Sequence, residues 1–140
     1  MDIVARFADA FNRRDVGALL ACFTPDGAYH DLFFGPHAGQ EALRAMFERM
    51  FREGRDYRWA MDTVVADGAR AAAEWTFSYT AAVPRSEGRR VRFRGMSLFE
   101  LRDGRIAAYR EYADTGVALL QLGFAPGAVA KVLAKRLPAD

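Results

Sequence analysis

Two acidic residues that lie among aromatic side chains are the best candidates for chemistry in this sequence. Asp31 lies in the segment YHDLFF, and Glu111 lies in the segment YREY. Burial among apolar rings disfavours the ionised form of a carboxyl group, so it raises the pKa toward neutral pH. A carboxyl group of that kind is a useful proton acceptor or donor. A pair of them facing one interior would support acid–base chemistry.

Each of these residues also has a purely structural interpretation. Glu111 could be exposed or pair with an arginine across a sheet, and Asp31 could accept hydrogen bonds from its own loop, as Asp often does. His30 and His37 flank a Gly-Pro loop, but their spacing supplies no third ligand, so we predict no metal site. Cys22 is the single cysteine, which excludes internal disulfides and thiolate zinc sites.

The periodicity of apolar residues predicts a single α+β domain over residues 1–140. Helical spacing predicts helices over 2–14, 16–23 and 40–52, with a turn at 24–27 and a brief strand over 28–32. After residue 54 the period changes to two, which predicts strands over 57–66, 70–80, 89–101 and 105–112, joined by hairpin turns. Two helices over 114–122 and 128–136 follow. Consecutive hairpins form an antiparallel sheet, so we expect the helices to pack on one face of it.

Alternation along the strands assigns the candidate residues to particular faces. Those expected to face the helices are Trp75, Phe77, Ser97, Phe99, Tyr109 and Glu111. Tyr29 and Asp31 share one face of the short strand, and His30 lies on the other. The resulting interior is aromatic but contains a carboxyl group, whose burial is costly unless it is partnered or protonated.

The composition excludes several classes of protein. The chain is 51% hydrophobic and 27% charged, which excludes a disordered protein. Its net charge of +2 is far below that of a typical nucleic-acid-binding domain. No apolar run is long enough to span a membrane, and the first residues lack the features of a signal peptide. We therefore expect a cytoplasmic protein with neither a nucleic-acid nor a membrane partner.

Segments spread over nearly the whole chain resemble one superfamily. They are AFN at 10–12, PD at 25–26, YHD at 29–31, GQEAL at 39–43, AEWTF at 73–77, GMSLF at 95–99, DGRI at 103–106 and YREY at 109–112. This pattern resembles the nuclear transport factor 2-like superfamily and, within it, the SnoaL-like polyketide cyclases and ketosteroid-isomerase-like proteins. The resemblance implies a cone-shaped, curved antiparallel sheet wrapped around the N-terminal helices, with a deep pocket at one end. Because this fold hosts isomerases, cyclases, dehydratases, epoxide hydrolases and binding modules, the resemblance implies the fold more specifically than the reaction.

The resemblance also implies roles for individual residues. Asp31 matches the general base of ketosteroid isomerases, and Glu111 matches a catalytic Asp of SnoaL-type cyclases and limonene-epoxide hydrolases. Tyr29 matches a pocket position of those hydrolases, so these three are the predicted catalytic residues. The predicted substrate-binding residues are Phe34, Trp59, Trp75, Phe77, Ser97, Phe99 and Tyr109. The face of Trp59 is not fixed by alternation.

The chain departs from the family patterns at several positions. Phe7 and Ser97 stand where the isomerases place a Tyr and a protonated acid, and losing one such donor costs about 10²–10³ in rate. Ordinary ketosteroid isomerisation is therefore not expected. Trp75 and Phe77 replace the Arg and Asp of the epoxide hydrolases, which excludes that chemistry. Ser97 also stands where the cyclases place a His.

Three functions remain open. The first is an enzyme that works without metal or cofactor on a small, apolar, cyclic ligand. In it Asp31 would take a proton, Glu111 would hold or return one, and Tyr29 or Tyr109 would hydrogen-bond a developing oxyanion. The second is a binding module in which Glu111 is structural, and the third is an assembly protein. We expect a homodimer through the outer sheet face in each case.

Overall fold

Several of the helices begin directly after a capping aspartate. The computed structural model describes residues 2–139 of the protein. The helices are α1 (Ile3–Asn12), α2 (Val16–Ala21), α3 (Gln40–Glu53), α4 (Thr115–Gln121) and α5 (Pro126–Ala134). Asp2, Asp15 and Asp114 precede α1, α2 and α4, and each accepts a hydrogen bond from the backbone N–H three residues later. These bounds confirm the predicted helices to within a few residues.

The strands form one six-stranded sheet. They are β1 (Phe23–Asp31), β2 (Gly35–Ala38), β3 (Gly54–Ala66), β4 (Arg70–Ala81), β5 (Arg90–Arg102) and β6 (Arg105–Ala113), in the spatial order β2-β1-β6-β5-β4-β3. Strands β3 to β6 are an antiparallel meander, as the hairpin turns predicted. The α+β class is therefore confirmed.

The first half of the sheet differs from the prediction. The turn predicted at 24–27 is wrong, because these residues lie within β1, at an irregularity in its pairing with β6 between Phe23 and Ala28. Turn-forming residues here make a bulge, which needs the same backbone freedom as a turn. The short strand β2 was not predicted and pairs with the end of β1. Strand β1 also runs parallel to β6, so the sheet is mixed and not wholly antiparallel.

Helix α1 packs its apolar face into the concave interior. Phe7 and Phe11 are fully buried, and the Phe7 ring contacts rings from both β1 and β5. The Asn12 side chain joins the end of α1 to β3, because it donates to the Trp59 carbonyl at 2.9 Å and accepts from the Trp59 N–H at 2.7 Å. This double hydrogen bond fixes the Trp59 backbone, and with it the indole that faces the interior.

The outer face of the sheet leaves some apolar side chains in solvent. Met96 and Tyr112 lie opposite each other on β5 and β6 and are 50% and 66% exposed. Dimerisation through this face stays a prediction. No helix within residues 2–139 is both long enough and apolar enough to cross a membrane.

Candidate active site

A cavity of about 420 Å³ lies between the helices and the concave face of the sheet. Its aromatic lining consists of Tyr29, Phe33, Phe34, Tyr57, Trp59, Trp75, Phe77, Tyr79, Phe93 and Phe124. The carboxyl-bearing residues that line it are Asp31, Glu53 and Glu111. An apolar cavity with a few converging polar groups is the usual form of a small-molecule site.

The cavity brings together most of the predicted site residues. Those that line it are Tyr29, Asp31, Phe34, Trp59, Trp75, Phe77 and Glu111. Ser97, Phe99 and Tyr109 share the inward face but do not line this cavity, because they lie deeper along the strands, where the interior is filled. Direct contact of these three residues with a ligand therefore gains no support from this cavity and stays a prediction.

Asp31 ends β1 with a buried carboxylate, and the residue is 5% exposed. Its Oδ2 accepts hydrogen bonds from the N–H groups of Phe33 and Phe34 at 2.7 and 2.9 Å. The simple interpretation, that Asp31 binds its own loop, is thus correct, but the residue also faces the cavity. Burial raises the pKa of Asp31, and the two backbone donors oppose that rise because they favour the ionised form.

Glu111 points inward from β6 and receives three hydrogen bonds. Its Oε1 accepts from the Tyr109 hydroxyl at 2.5 Å and from the Tyr29 hydroxyl at 3.4 Å, and its Oε2 accepts from the Leu32 N–H at 3.1 Å. Glu111 forms no ion pair with any residue in 2–139, so the alternative in which it pairs with an arginine across the sheet is wrong. Burial and then the charge of Asp31 raise the pKa of Glu111 to about 8, against the effect of these donors.

Asp31 and Glu111 therefore behave as a coupled pair. The proximity of Glu111 lowers the pKa of Asp31, and the charge of Asp31 raises the pKa of Glu111. Two adjacent carboxyl groups cannot both ionise easily, so the pair retains one proton near neutral pH. Asp31 loses its proton first, because its backbone donors stabilise the carboxylate, and Glu111 keeps the second proton up to a pKa of about 8.

Behind this pair a line of buried polar groups continues into the core. The Trp75 Nε1–H donates to Ser97 Oγ at 2.7 Å, and Ser97 Oγ donates to the Tyr109 hydroxyl at 2.7 Å. Tyr109 then donates to Glu111 and stacks on Tyr29 with ring centroids 4.2 Å apart. Burial holds the pKa of both tyrosines well above the usual value, so both stay protonated as donors.

A sequence profile of the SnoaL-like domain matches residues 4–109. The chain belongs to the SnoaL-like domain family. The predicted resemblance is thereby confirmed. None of the curated proteins matches this SnoaL-like domain in sequence.

Solved structures share the fold of this SnoaL-like domain. A putative polyketide cyclase from a Silicibacter species is 28% identical, with a TM-score of 0.76 over 85% of this chain and 91% of that one. A Catenulispora acidiphila protein with a ketosteroid isomerase-like fold, in complex with trimethylamine, is 19% identical, with a TM-score of 0.78 over 88% and 93%. An LEH-like epoxide hydrolase from M. tuberculosis is 22% identical, with a TM-score of 0.70 over 95% and 93%. The nuclear transport factor 2-like fold is therefore confirmed.

Several cavity residues of the SnoaL-like domain were missed by sequence reasoning. Arg49 and Glu53 line the cavity from α3 and form an ion pair at 3.0 Å, and the Arg49 guanidinium lies 4.8 Å from the centre of the Phe34 ring. Leu119, Leu122 and Phe124 contribute apolar lining from α4 and the segment after it. The sequence predicted a helix over 114–122, but nothing local indicated that this helix borders a cavity.

The two histidines lie outside this cavity. His30 is exposed, as alternation predicted. Both histidines line a recess beside β1 and β2, and His30 also lines another recess, which Asp31 and Glu111 share with Arg110 and Arg136. Within residues 2–139, no group of three or more His, Cys, Asp or Glu side chains is placed to hold a metal ion.

Proposed function

We propose that this SnoaL-like domain is a small-molecule enzyme that moves a proton on an apolar, cyclic ligand by cofactor-independent acid–base chemistry. The reaction would be of the isomerase, cyclase or dehydratase type. The observation that carries the proposal is the pair of carboxyl groups, Asp31 and Glu111, in an aromatic cavity of about 420 Å³. The putative polyketide cyclase of similar fold is consistent with a substrate of this size and apolarity.

Asp31 is the proposed base. Its Oδ2 is occupied by two backbone N–H groups, which hold the carboxylate in place and leave Oδ1 for a ligand proton or for Glu111. Burial raises the pKa of Asp31, so the carboxylate is a stronger base than an exposed Asp. It would accept a proton from a carbon next to a carbonyl group, or from a ligand hydroxyl.

Glu111 is the proposed acid. Its pKa of about 8 keeps it protonated at neutral pH, when Asp31 is ionised. It could therefore donate a proton to, or hydrogen-bond, the oxygen on which negative charge develops. Phe7 and Ser97 stand where ketosteroid isomerases place a tyrosine and a protonated acid. Glu111 would take over the donor role of those two residues.

The aromatic residues would orient the ligand. Trp59, Trp75 and Phe77 present rings at roughly right angles to one another, with centroids 5.1 to 6.4 Å apart. Such walls favour a flat hydrocarbon body through dispersion and edge-to-face contacts. Apart from Arg49, which is paired with Glu53, no basic side chain lines the cavity among residues 2–139, so an anionic ligand is disfavoured.

The test is exchange of the α-protons of a cyclic ketone into deuterated water, with β-tetralone as probe and NMR as the measurement. We expect Asp31→Asn and Glu111→Gln to slow exchange by about 10²–10⁴, the usual contribution of a positioned acid or base. The wild-type rate should rise with pH as Asp31 ionises and fall as Glu111 loses its proton through a pKa of about 8.

Glu100→Gln is the matched control, because Glu100 is an exposed carboxylate that pairs with Arg110 outside the cavity. It should exchange at the wild-type rate. If both cavity variants also keep that rate, Asp31 and Glu111 are not catalytic. Tight binding of the ketone without exchange would instead indicate the binding module.

A further inference from the structure

We propose that Ser97 and Tyr109 are positioning residues that hold the proton of Glu111 on Oε2. Trp75 donates to Ser97, Ser97 donates to Tyr109, and Tyr109 donates to Oε1 of Glu111, so Oε1 acts as the acceptor. The inference rests on the proposed role of Glu111 as the acid and names residues that act through it. Neither residue lines the cavity, so neither would touch the ligand.

The direction of this line of hydrogen bonds is set at its buried end. The indole N–H of Trp75 can only donate, so Ser97 Oγ must accept at that contact. Within residues 2–139 the only hydrogen-bond partners of Ser97 Oγ are Trp75 and Tyr109. Ser97 must therefore donate its own proton to Tyr109, because the reverse direction would leave a buried hydroxyl proton without an acceptor, which is costly.

The direction then determines what Glu111 can do. Tyr109 accepts from Ser97 and has its own proton left for Oε1 of Glu111, at 2.5 Å. Tyr29 adds a second donor to the same oxygen at 3.4 Å. Oε2 accepts only the Leu32 N–H, at 3.1 Å. Because Oε1 accepts two hydroxyl donors, one of them at 2.5 Å, it is the poorer place for a proton, so the protonated form of Glu111 carries its hydrogen on Oε2.

The burial of these groups makes the arrangement rigid. Trp75, Ser97 and Tyr109 are each 2% exposed or less, so water does not compete for their hydrogen bonds. They lie on three neighbouring strands whose register places Ser97 directly opposite Glu111. Residues on separate but paired strands keep these distances without a flexible loop, which is what a positioning function requires.

The experiment is a direct titration of the Glu111 carboxyl carbon by ¹³C NMR, with Glu111→Gln to assign the signal. Loss of the donor in Tyr109→Phe should raise the pKa of Glu111 by about 1–2 pH units, because a hydrogen bond to a charged group favours the ionised form. Ser97→Ala should raise it by a smaller amount, because Tyr109 then loses the donor that polarises it.

Ser78→Ala is the matched control. Ser78 is also a buried serine, on β4, but its Oγ accepts from Arg90 and has no link to Glu111. It should leave the Glu111 titration unchanged. The proposal is overturned if Tyr109→Phe titrates like the wild type, or if Ser97→Ala and Ser78→Ala shift the titration equally.

The titration needs no substrate, so it separates the two proposals. If Glu111 shifts in the variants but β-tetralone shows no proton exchange in the wild type, the positioning residues stand and the proposed reaction fails. If exchange occurs and both Tyr109→Phe and Ser97→Ala keep the wild-type pH profile, the proposed reaction stands and the positioning role fails.

Discussion

Aromatic side chains fill one end of the interior of this protein and line an open cavity at the other. At the filled end the Phe7 ring touches Phe23, Phe99 and Tyr109, with centroids 5.6 to 6.1 Å apart. At the open end Phe77 and Phe93 face the cavity. The residue types are the same at both ends, so composition does not decide between core and cavity.

The difference comes from what the helices bring to each end. Helix α1 inserts Phe7 between the strands, and its ring fills the space that the sheet encloses. At the open end Leu119 of α4 and Leu122, which follows it, line the space without filling it. Trp59 lies between the two ends, because its ring contacts Phe7 and also lines the cavity. Trp75 lines the cavity as well, and its Nε1–H donates to the buried Ser97 behind it. The boundary between core and site therefore runs through these two indoles.

Removing a ring should destabilise the filled end much more than the open end. Phe7→Ala should destabilise the protein by about 3–5 kcal/mol, because it leaves a void in a packed region. Phe77→Ala should cost at least about 1 kcal/mol less, because one side of its ring already faces open space. Denaturant unfolding measures both values, and equal losses would contradict the distinction between a filled and an open end.

A second prediction concerns the pH dependence of stability. The pKa of Glu111 is raised in the folded protein to about 8, so the folded state binds this proton more tightly than the unfolded state does. The contribution of Glu111 to stability should therefore fall as pH rises from about 4.5 to about 8, by a few kcal/mol in total. Glu111→Gln should remove that fall.

The quantity to compare is the slope of protein stability against pH. The glutamine also changes the contact with the Leu32 N–H, and that cost is independent of pH. Thermal unfolding of wild type and Glu111→Gln from pH 5 to pH 9 measures the slope, with Glu100→Gln as the exposed control. Parallel curves for wild type and Glu111→Gln would show that Glu111 titrates normally and would argue against a buried pair.

A third and smaller effect tests the boundary between the two ends. A Cβ at Gly95 would lie 2.6 Å from the Trp75 ring and 2.8 Å from the Ala113 Cβ. Gly95→Ala should therefore push the indole aside and destabilise the protein by about 1–3 kcal/mol. Gly127→Ala is the control, because a Cβ there meets nothing within 4 Å and alanine favours the helix. Equal stability of the two variants would contradict a tightly held Trp75.

The sequence was a good guide to which face of the sheet each residue occupies. Side chains alternate with a period of two, so Asp31, Trp75, Phe77 and Glu111 could be assigned to the interior from the strands alone. The capping aspartates were equally clear, because a helix start has a local signal.

Alternation was not a guide to depth. Ser97 and Tyr109 share the inward face with Glu111, but parity does not say whether a residue lies beside the cavity or beneath it. That depends on which helix side chains meet each level of the sheet. The bulge in β1 was also missed, because its turn-forming residues are held in strand conformation by pairing with the distant strand β6. The strand β2 was missed because its Gly-Pro sequence is typical of a loop, although it pairs with the end of β1 just before it.

Trp75 has two roles, and together they limit how this domain could be redesigned. Its ring contributes to the shape that a ligand meets, and its nitrogen anchors the polar groups behind Glu111. Replacing it with phenylalanine to widen the cavity would also remove the indole N–H, which sets the direction of these hydrogen bonds because it can only donate. That substitution would change the ligand preference of the cavity and the acidity of Glu111 at the same time. Phe77 and Phe93 are therefore better positions than Trp75 for substitutions that aim at new substrates.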